Sequence, residues 1–342
     1  MELQTVWFFI WGLLWAVFFM TDGVDFGIGI LYPFMGKSEA DKRVMINSIG
    51  PVWDGNEVWL ITAGGVTFAA FPTVYAVMFS SLYSALMLIL FALILRGVSF
   101  EFRGKLDHPK WRNIWDACIF IGSFAPALLF GVAFANIFRG LPIDGEGLFH
   151  GTLLSLLNPY GLLGGVLFVM LFLVHGALWL AIKSGDTRHQ KALAVANKLW
   201  PVELGVAVLF LVASLFSTRL YANYLAHPVL FIVLLVTVLS LVGIKWFLVR
   251  KAPFKAWFAS ALTIVGATFY GVIGLYPNML PSSIDDQYSL TAHNASSSPL
   301  TLKIMLMIVL IFIPMVIAYQ IWAYKLFSGK IKTDDLGYDE AY

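Results

Sequence analysis

The chain has 342 residues, 60% of them hydrophobic and 12% charged, with a formal net charge of +2 and a mean hydropathy of +0.82. So apolar a composition excludes an ordinary water-soluble domain, and so small a charge, scattered through short loops, excludes nucleic acid as a partner. The single cysteine, Cys118, excludes an intrachain disulfide and a CxxC metal site and reads as small apolar filler.

Crossing about 30 Å of hydrocarbon takes about 20 apolar residues. Nine such runs are separated by charged or Pro/Gly-rich breaks, at 6–32, 52–71, 74–96, 114–137, 160–182, 200–219, 228–249, 256–276 and 301–325. The first lacks a basic n-region and runs on too long for a cleavable signal, so it reads as the first spanning helix.

That first run carries Asp22 and Asp25, three residues apart and hence on one helical face. A carboxylate in hydrocarbon costs several kcal/mol unless paired, hydrated or protonated, which makes both acids functional candidates. Gly23 and Gly27 form a small-xxx-small pair that lets a neighbouring helix approach and cover them. The second run opens Pro51-Val52-Trp53-Asp54-Gly55-Asn56-Glu57, with proline suited to a first turn and acids placed where the helix dipole favours them. Asp54 and Glu57 share a face by spacing, so Asp22, Asp25, Asp54 and Glu57 are expected to form a chain of titratable groups, the requirement of a proton intake path. The third run ends at Arg96, a counter-charge for these acids, and the fourth opens with Asp116.

His175 is the one histidine in the middle of a predicted helix. A haem b centre needs strong axial ligands such as histidine, so no haem is expected on this chain alone, and His175 reads as a satisfied polar core residue. Trp7 and Trp11, Trp111 and Trp115, and Trp322 and Tyr324 suit interfacial belts. The loops after helices 1, 3, 5 and 7, with the tail to Lys332, hold most of the 22 basic residues, and the opposite loops hold Arg139, Arg219 and Lys303. Positive charge stays inside, so the N-terminus is expected outside and the C-terminus in the cytoplasm.

A shift of 150 residues aligns Asn47, Pro51 and Val52 with Asn197, Pro201 and Val202, and Met20 and Val24 with Met170 and Val174. This suggests a parallel repeat: one four-helix unit over 1–150, a second over 151–280, and a peripheral ninth helix with cytoplasmic tail over 281–342. No P-loop, HExxH or GxSxG motif is present. Parallel repeats with buried acids also suit an ion-coupled secondary transporter.

The runs Thr21-Asp22-Gly23-Val24-Asp25-Phe26-Gly27 and Trp53-Asp54-Gly55-Asn56-Glu57-Val58-Trp59-Leu60-Ile61-Thr62-Ala63-Gly64-Gly65, with Trp111-Arg112-Asn113-Ile114-Trp115-Asp116 and Ile121-Gly122-Ser123-Phe124, resemble subunit II of cytochrome bd quinol oxidases. The resemblance is detailed over about 5–175. It implies a terminal oxidase that oxidises quinol, reduces dioxygen to water and takes its protons from the cytoplasm. It also implies that two haems b and one haem d sit in subunit I, with this chain a haem-free partner needed for assembly. The positions it associates with function or haem assembly are Asp25, Trp53, Asp54, Arg96 and Asp116. The further partners it implies are membrane lipid and small single-helix subunits, in a bacterial or archaeal cell membrane.

Overall fold

The computed structural model describes residues 2–331; Lys332 and the rest of the tail to 342 lie outside the described residues. The apolar runs fold as helices: α1 (Leu3–Met35), α3 (Trp53–Ala70), α4 (Pro72–Ser81), α5 (Tyr83–Phe102), α6 (Pro109–Arg139), α7 (Pro159–Lys183), α8 (Asp186–Ser217), α10 (Phe231–Val249), α11 (Pro253–Leu275) and α12 (Pro299–Leu326). Two short helices, α2 (Glu39–Ile49) and α9 (Tyr221–Ala226), and a small antiparallel ribbon of β1 (Asn278–Leu280) and β2 (Leu290–Thr291) lie in the connections.

Among the described residues, eight helices are long and apolar enough to cross a membrane: α1, α5, α6, α7, α8, α10, α11 and α12. The run at 52–71, the second of nine predicted spans, forms α3 but is not one of the eight. Asp54, Asn56 and Glu57 lower its hydropathy. The predicted span at 74–96 is displaced. Pro72 has no N–H to continue α3 and forces Phe71 out of helical conformation, to φ −136° and ψ 64°. The chain restarts as α4, breaks again at Leu82, and α5 then runs to Phe102. Arg96 therefore stands inside a helix, well before its end.

Helix α1 is the axis of the molecule. It packs against α3, α6, α7 and α11, and from Thr21 to Tyr32 every residue is buried. Two glycine crossings make this density possible. A Cβ on Gly176 of α7 would stand 2.7 Å from the Gly27 carbonyl carbon and the Ile28 nitrogen, and one on Gly27 would collide with the Phe172 carbonyl. At Gly131 of α6, a Cβ would lie 2.7 Å from the Gly165 Cα of α7. Both apolar clusters of the interior draw on both halves of the chain, for instance Phe26 with Phe172 and Tyr270, and Val24 with Val174 and Ala259.

The last helix is attached differently. Only Leu302 of α12 is buried. Its start is held to α3 by hydrogen bonds from Ser297 N to the Ala70 carbonyl (2.8 Å) and from Ser297 Oγ to the Ala69 carbonyl (2.6 Å). Beyond its end, Ile331 N donates to the Lys183 carbonyl at 2.8 Å, and Lys183 Nζ donates to the Phe327 carbonyl.

A methyl at the α1–α7 crossing must push two backbones apart. Gly176→Ala and Gly27→Ala are each expected to lose about 1–3 kcal/mol, read as a lowered melting temperature of the purified protein. Gly205→Ala, with open space around its Cα, is expected to be neutral or to gain about 0.5–1 kcal/mol.

Candidate functional site

Three helices, α1, α3 and α5, bring charge together. Arg96 of α5 reaches across to α1, where Nη2 donates to both Asp22 oxygens at 2.9 and 3.0 Å. The same Nη2 donates to Glu57 of α3. The Arg96 and Asp22 side chains are completely buried, and that of Glu57 is 23% exposed. The guanidinium lies over the Phe26 ring, 4.4 Å from its centroid, a cation–π contact on its remaining face. Gly122 makes room for this arrangement, since a Cβ there would stand 2.6 Å from the Ala92 carbonyl and 2.8 Å from Arg96 Cβ.

Asp25, also completely buried, stands one turn along α1 from Asp22. Its Oδ2 accepts from Asn56 Nδ2 at 2.8 Å, its Oδ1 meets no donor among the described residues, and its carboxyl lies within hydrogen-bonding reach of that of Asp22. Asn56 Oδ1 accepts in turn from the Tyr324 hydroxyl of α12 at 2.7 Å, and Gln320 Oε1 accepts from Trp59 Nε1 at 2.9 Å.

The structure thus joins Asp22, Glu57 and Arg96 directly and holds Asp25 through Asn56. Asp54 is not in the group. The buried face of α3 runs through Asn56, Trp59, Ala63, Thr67 and Ala70, and two residues at 100° each turn Asp54 to the opposite side. Asp54 is exposed, its carboxylate accepting from Gly55 N at 2.7 Å and from no other donor among the described residues. Trp53 is half-buried over Gly97, with its ring 5.4 Å from that of Phe100.

Asp116 belongs to a second cluster, at the end of α1 about two turns beyond Asp25. Its Oδ1 accepts from Arg103 Nε (2.6 Å) and the Tyr32 hydroxyl (2.9 Å), and its Oδ2 from Lys42 Nζ (2.6 Å). Arg103 also grips Glu39 of α2 with two bonds at 2.7 and 3.0 Å. This hydrogen-bonded fork holds the Glu39 carboxyl below its usual range. Burial pushes Asp41 up, but its bonds to Arg188 and Ser38 outweigh that and leave it low. The network ties α1, α2, α5, α6 and α8 into one platform.

His175 is buried, with Nδ1 3.0 Å from Ser260 Oγ and Nε2 3.0 Å from the Met20 carbonyl, and its ring is stacked on Trp257. Neither nitrogen can serve as an axial ligand without breaking one of these contacts. No group of three or more His, Cys, Asp or Glu able to hold a metal occurs among the described residues. Sequence reasoning missed Gln320 and read Tyr324 only as part of an interfacial belt, whereas both meet Asn56. It also missed Glu203 of α8, fully buried with neither oxygen hydrogen-bonded among the described residues, although the intramembrane-acid criterion applies to it equally.

The family model described as cytochrome bd terminal oxidase subunit II matches residues 3–327. The chain belongs to the cytochrome bd terminal oxidase subunit II family. Its relatives include the cytochrome bd ubiquinol oxidase subunit 2 of Bacillus subtilis, 37% identical over 96% of this chain and 97% of that one. Another is the cytochrome bd-I ubiquinol oxidase subunit 2 of Escherichia coli, 36% identical over 98% of this chain and 96% of its relative. The fold matches a chain of the bd oxidase from Geobacillus thermodenitrificans with a TM-score of 0.79 at 17% identity, over 96% of this chain and 99% of that one. As a family member the chain is a subunit of an oxidoreductase complex, a membrane-spanning terminal oxidase.

Chemically, the site is a surplus of acid. Asp22, Asp25 and Glu57 face one guanidinium, so full ionisation would leave two uncompensated negative charges in the interior. That costs several kcal/mol, which bound protons or a further cation remove. Removing the cation instead is severe: Arg96→Leu is expected to cost about 3–5 kcal/mol, seen as loss of folded protein on size-exclusion chromatography, and Arg96→Lys, lacking the flat guanidinium that lies over Phe26, to recover only part.

The platform makes a separate prediction about pH. Glu39 and Asp41 are held low in the folded state, so their stabilisation is complete above their ordinary values of 4.5 and 3.8 and fades as pH falls through and below them. Amide hydrogen exchange over 39–49 is expected to rise selectively below about pH 4.5.

Proposed function

We propose that this chain is the haem-free subunit of a bd-type quinol oxidase, supporting assembly of a haem-bearing subunit I and holding protons on their way to its oxygen-reducing site. Quinol supplies the electrons and releases its own protons outside; dioxygen takes those electrons together with cytoplasmic protons and becomes water. Two haems b and one haem d reside in subunit I, and small single-helix subunits and lipid complete the assembly in a bacterial or archaeal cell membrane.

The observation that carries this reading is the acid surplus around Arg96 in a member of a terminal oxidase family. Buried carboxyls outnumbering their counter-charge can take up and release protons, and none of them is placed to ligate a metal. Asp22, Asp25 and Glu57 form the interior part of the path. Asp54, exposed at the start of α3, is its intake, and Trp53 on Gly97 fixes that end of α3. Arg96 keeps the acids together, and Asp116 locks the platform below them.

Nine spans fit this role, with α3 as the second, the N-terminus outside and the C-terminus cytoplasmic. A duplication of 1–150 in 151–280, with 281–342 as an addition, has support in the packing. Exchanging α1 with α7 and α6 with α11 turns each central contact into another observed one: α1–α6 into α7–α11, and α6–α7 into α11–α1. The outer contacts α5–α6 and α10–α11 correspond in the same way.

Two measurements test the reading. The complex purified through a tag on this chain is expected to show haem b and haem d bands and a second large subunit; a colourless solitary chain would point to an ion-coupled transporter instead. Asp25→Asn is expected to keep those bands while lowering quinol-driven oxygen consumption roughly tenfold or more. Unchanged turnover and proton uptake in this variant would remove the proton path.

A further inference from the structure

The last helix reaches the acid site with two side chains. Over its length α12 is among the most apolar segments and is scarcely buried, so a polar residue on it must find a partner in the protein or face hydrocarbon. Gln320 and Tyr324, four residues apart and therefore on one face, both turn inward to Asn56. The Tyr324 hydroxyl donates to Asn56 Oδ1 at 2.7 Å, and Gln320 Nε2 stands 3.5 Å from the same oxygen. Gln320 is itself oriented by Trp59, whose indole N–H donates to Oε1 at 2.9 Å.

An asparagine amide has a donor end and an acceptor end. With Oδ1 taken by the Tyr324 hydroxyl, Nδ2 can only face α1, where it donates to Asp25 Oδ2 at 2.8 Å and lies 3.4 Å from the Thr21 carbonyl. An amide does not readily pass a proton along, so Asn56 acts as an orienting group. A cavity of about 780 Å³ adjoins the clamp, running from Lys183 and Ser328 past Tyr324 and Gln320 to Thr21 and Trp59.

We propose that Tyr324 and Gln320 of the last helix are positioning residues for Asp25: they set the orientation of the Asn56 amide, which fixes one Asp25 oxygen and leaves Oδ1 unpartnered for proton exchange. This rests on the proton role of Asp25 proposed above and adds that a helix outside the core governs it. Without the Tyr324 hydroxyl the amide is free to rotate and present its oxygen to Asp25, which favours the protonated carboxyl and retards proton release.

The test uses the purified two-subunit complex with its haem bands as the control for assembly. Tyr324→Phe removes one oxygen atom and is expected to lower quinol-oxidase turnover roughly three- to tenfold, with the alkaline side of the rate–pH profile displaced upward. Gln320→Met, close in shape, is expected to give a smaller change in the same direction and serves if Tyr324→Phe does not assemble. In an Asp25→Asn background neither substitution should lower turnover further. Wild-type turnover and pH profile in both single variants, with Asp25→Asn impaired, would overturn the positioning role and leave the proton path standing. Losses that add fully to that of Asp25→Asn would overturn it too, since the residues would then act independently of Asp25. Full turnover in Asp25→Asn would remove both readings together.

Discussion

Everything near the centre of this protein answers to one constraint: a charge within hydrocarbon depth must have a partner, and Arg96 is the partner. One of its two terminal nitrogens, Nη2, serves Asp22 of α1 and Glu57 of α3, and its flat face lies on Phe26. Three helices are thereby fixed in rotation relative to one another, because turning any of them strands an ion. The ion cluster adds little net stability compared with apolar packing of the same volume. Its value lies in specifying a single arrangement and in leaving acid in excess.

The constraint works only because backbones approach closely around it. Gly27 and Gly176 bring α1 and α7 into contact, and Gly122 seats α6 against the helix that carries Arg96. In a lipid surrounding there is no hydrophobic gain from bringing helices together, so close van der Waals contact and interhelical hydrogen bonds carry the association. Glycines and the Asp22–Asp25 pair thus act jointly, the small residues closing the interior that the acids require.

Much of this was legible in the sequence, for identifiable reasons. Apolar length gave the helices, and charge at membrane depth flagged Asp22, Asp25, Glu57 and Arg96, three of which meet. The family was legible from the run around Trp53 to Gly65. Rotation was not. Spacing put Asp54 with Glu57, but the buried face of α3 passes through Asn56 and turns Asp54 outward, and only the neighbouring helices decide which face is inner. The break inside the predicted span at 74–96 falls at Leu82, between α4 and α5, where no proline or charge marks it in the sequence. Gln320 gave no signal and Tyr324 only that of an interfacial anchor, since nothing in a single apolar helix says that its polar residues meet an asparagine some 260 positions earlier in the chain.

The mode of attachment of α12 makes the surrounding solvent a structural component. A helix held by buried apolar area is gripped by water's exclusion, whereas one held by Ser297, Gln320, Tyr324 and Lys183 is gripped by the poverty of alternatives around it. Lipid offers those groups nothing else to bond to. A hydrated micelle does, so the bilayer acts as the adhesive for this part of the fold, and solubilisation loosens the molecule first at the helix bearing on its most sensitive carboxyl.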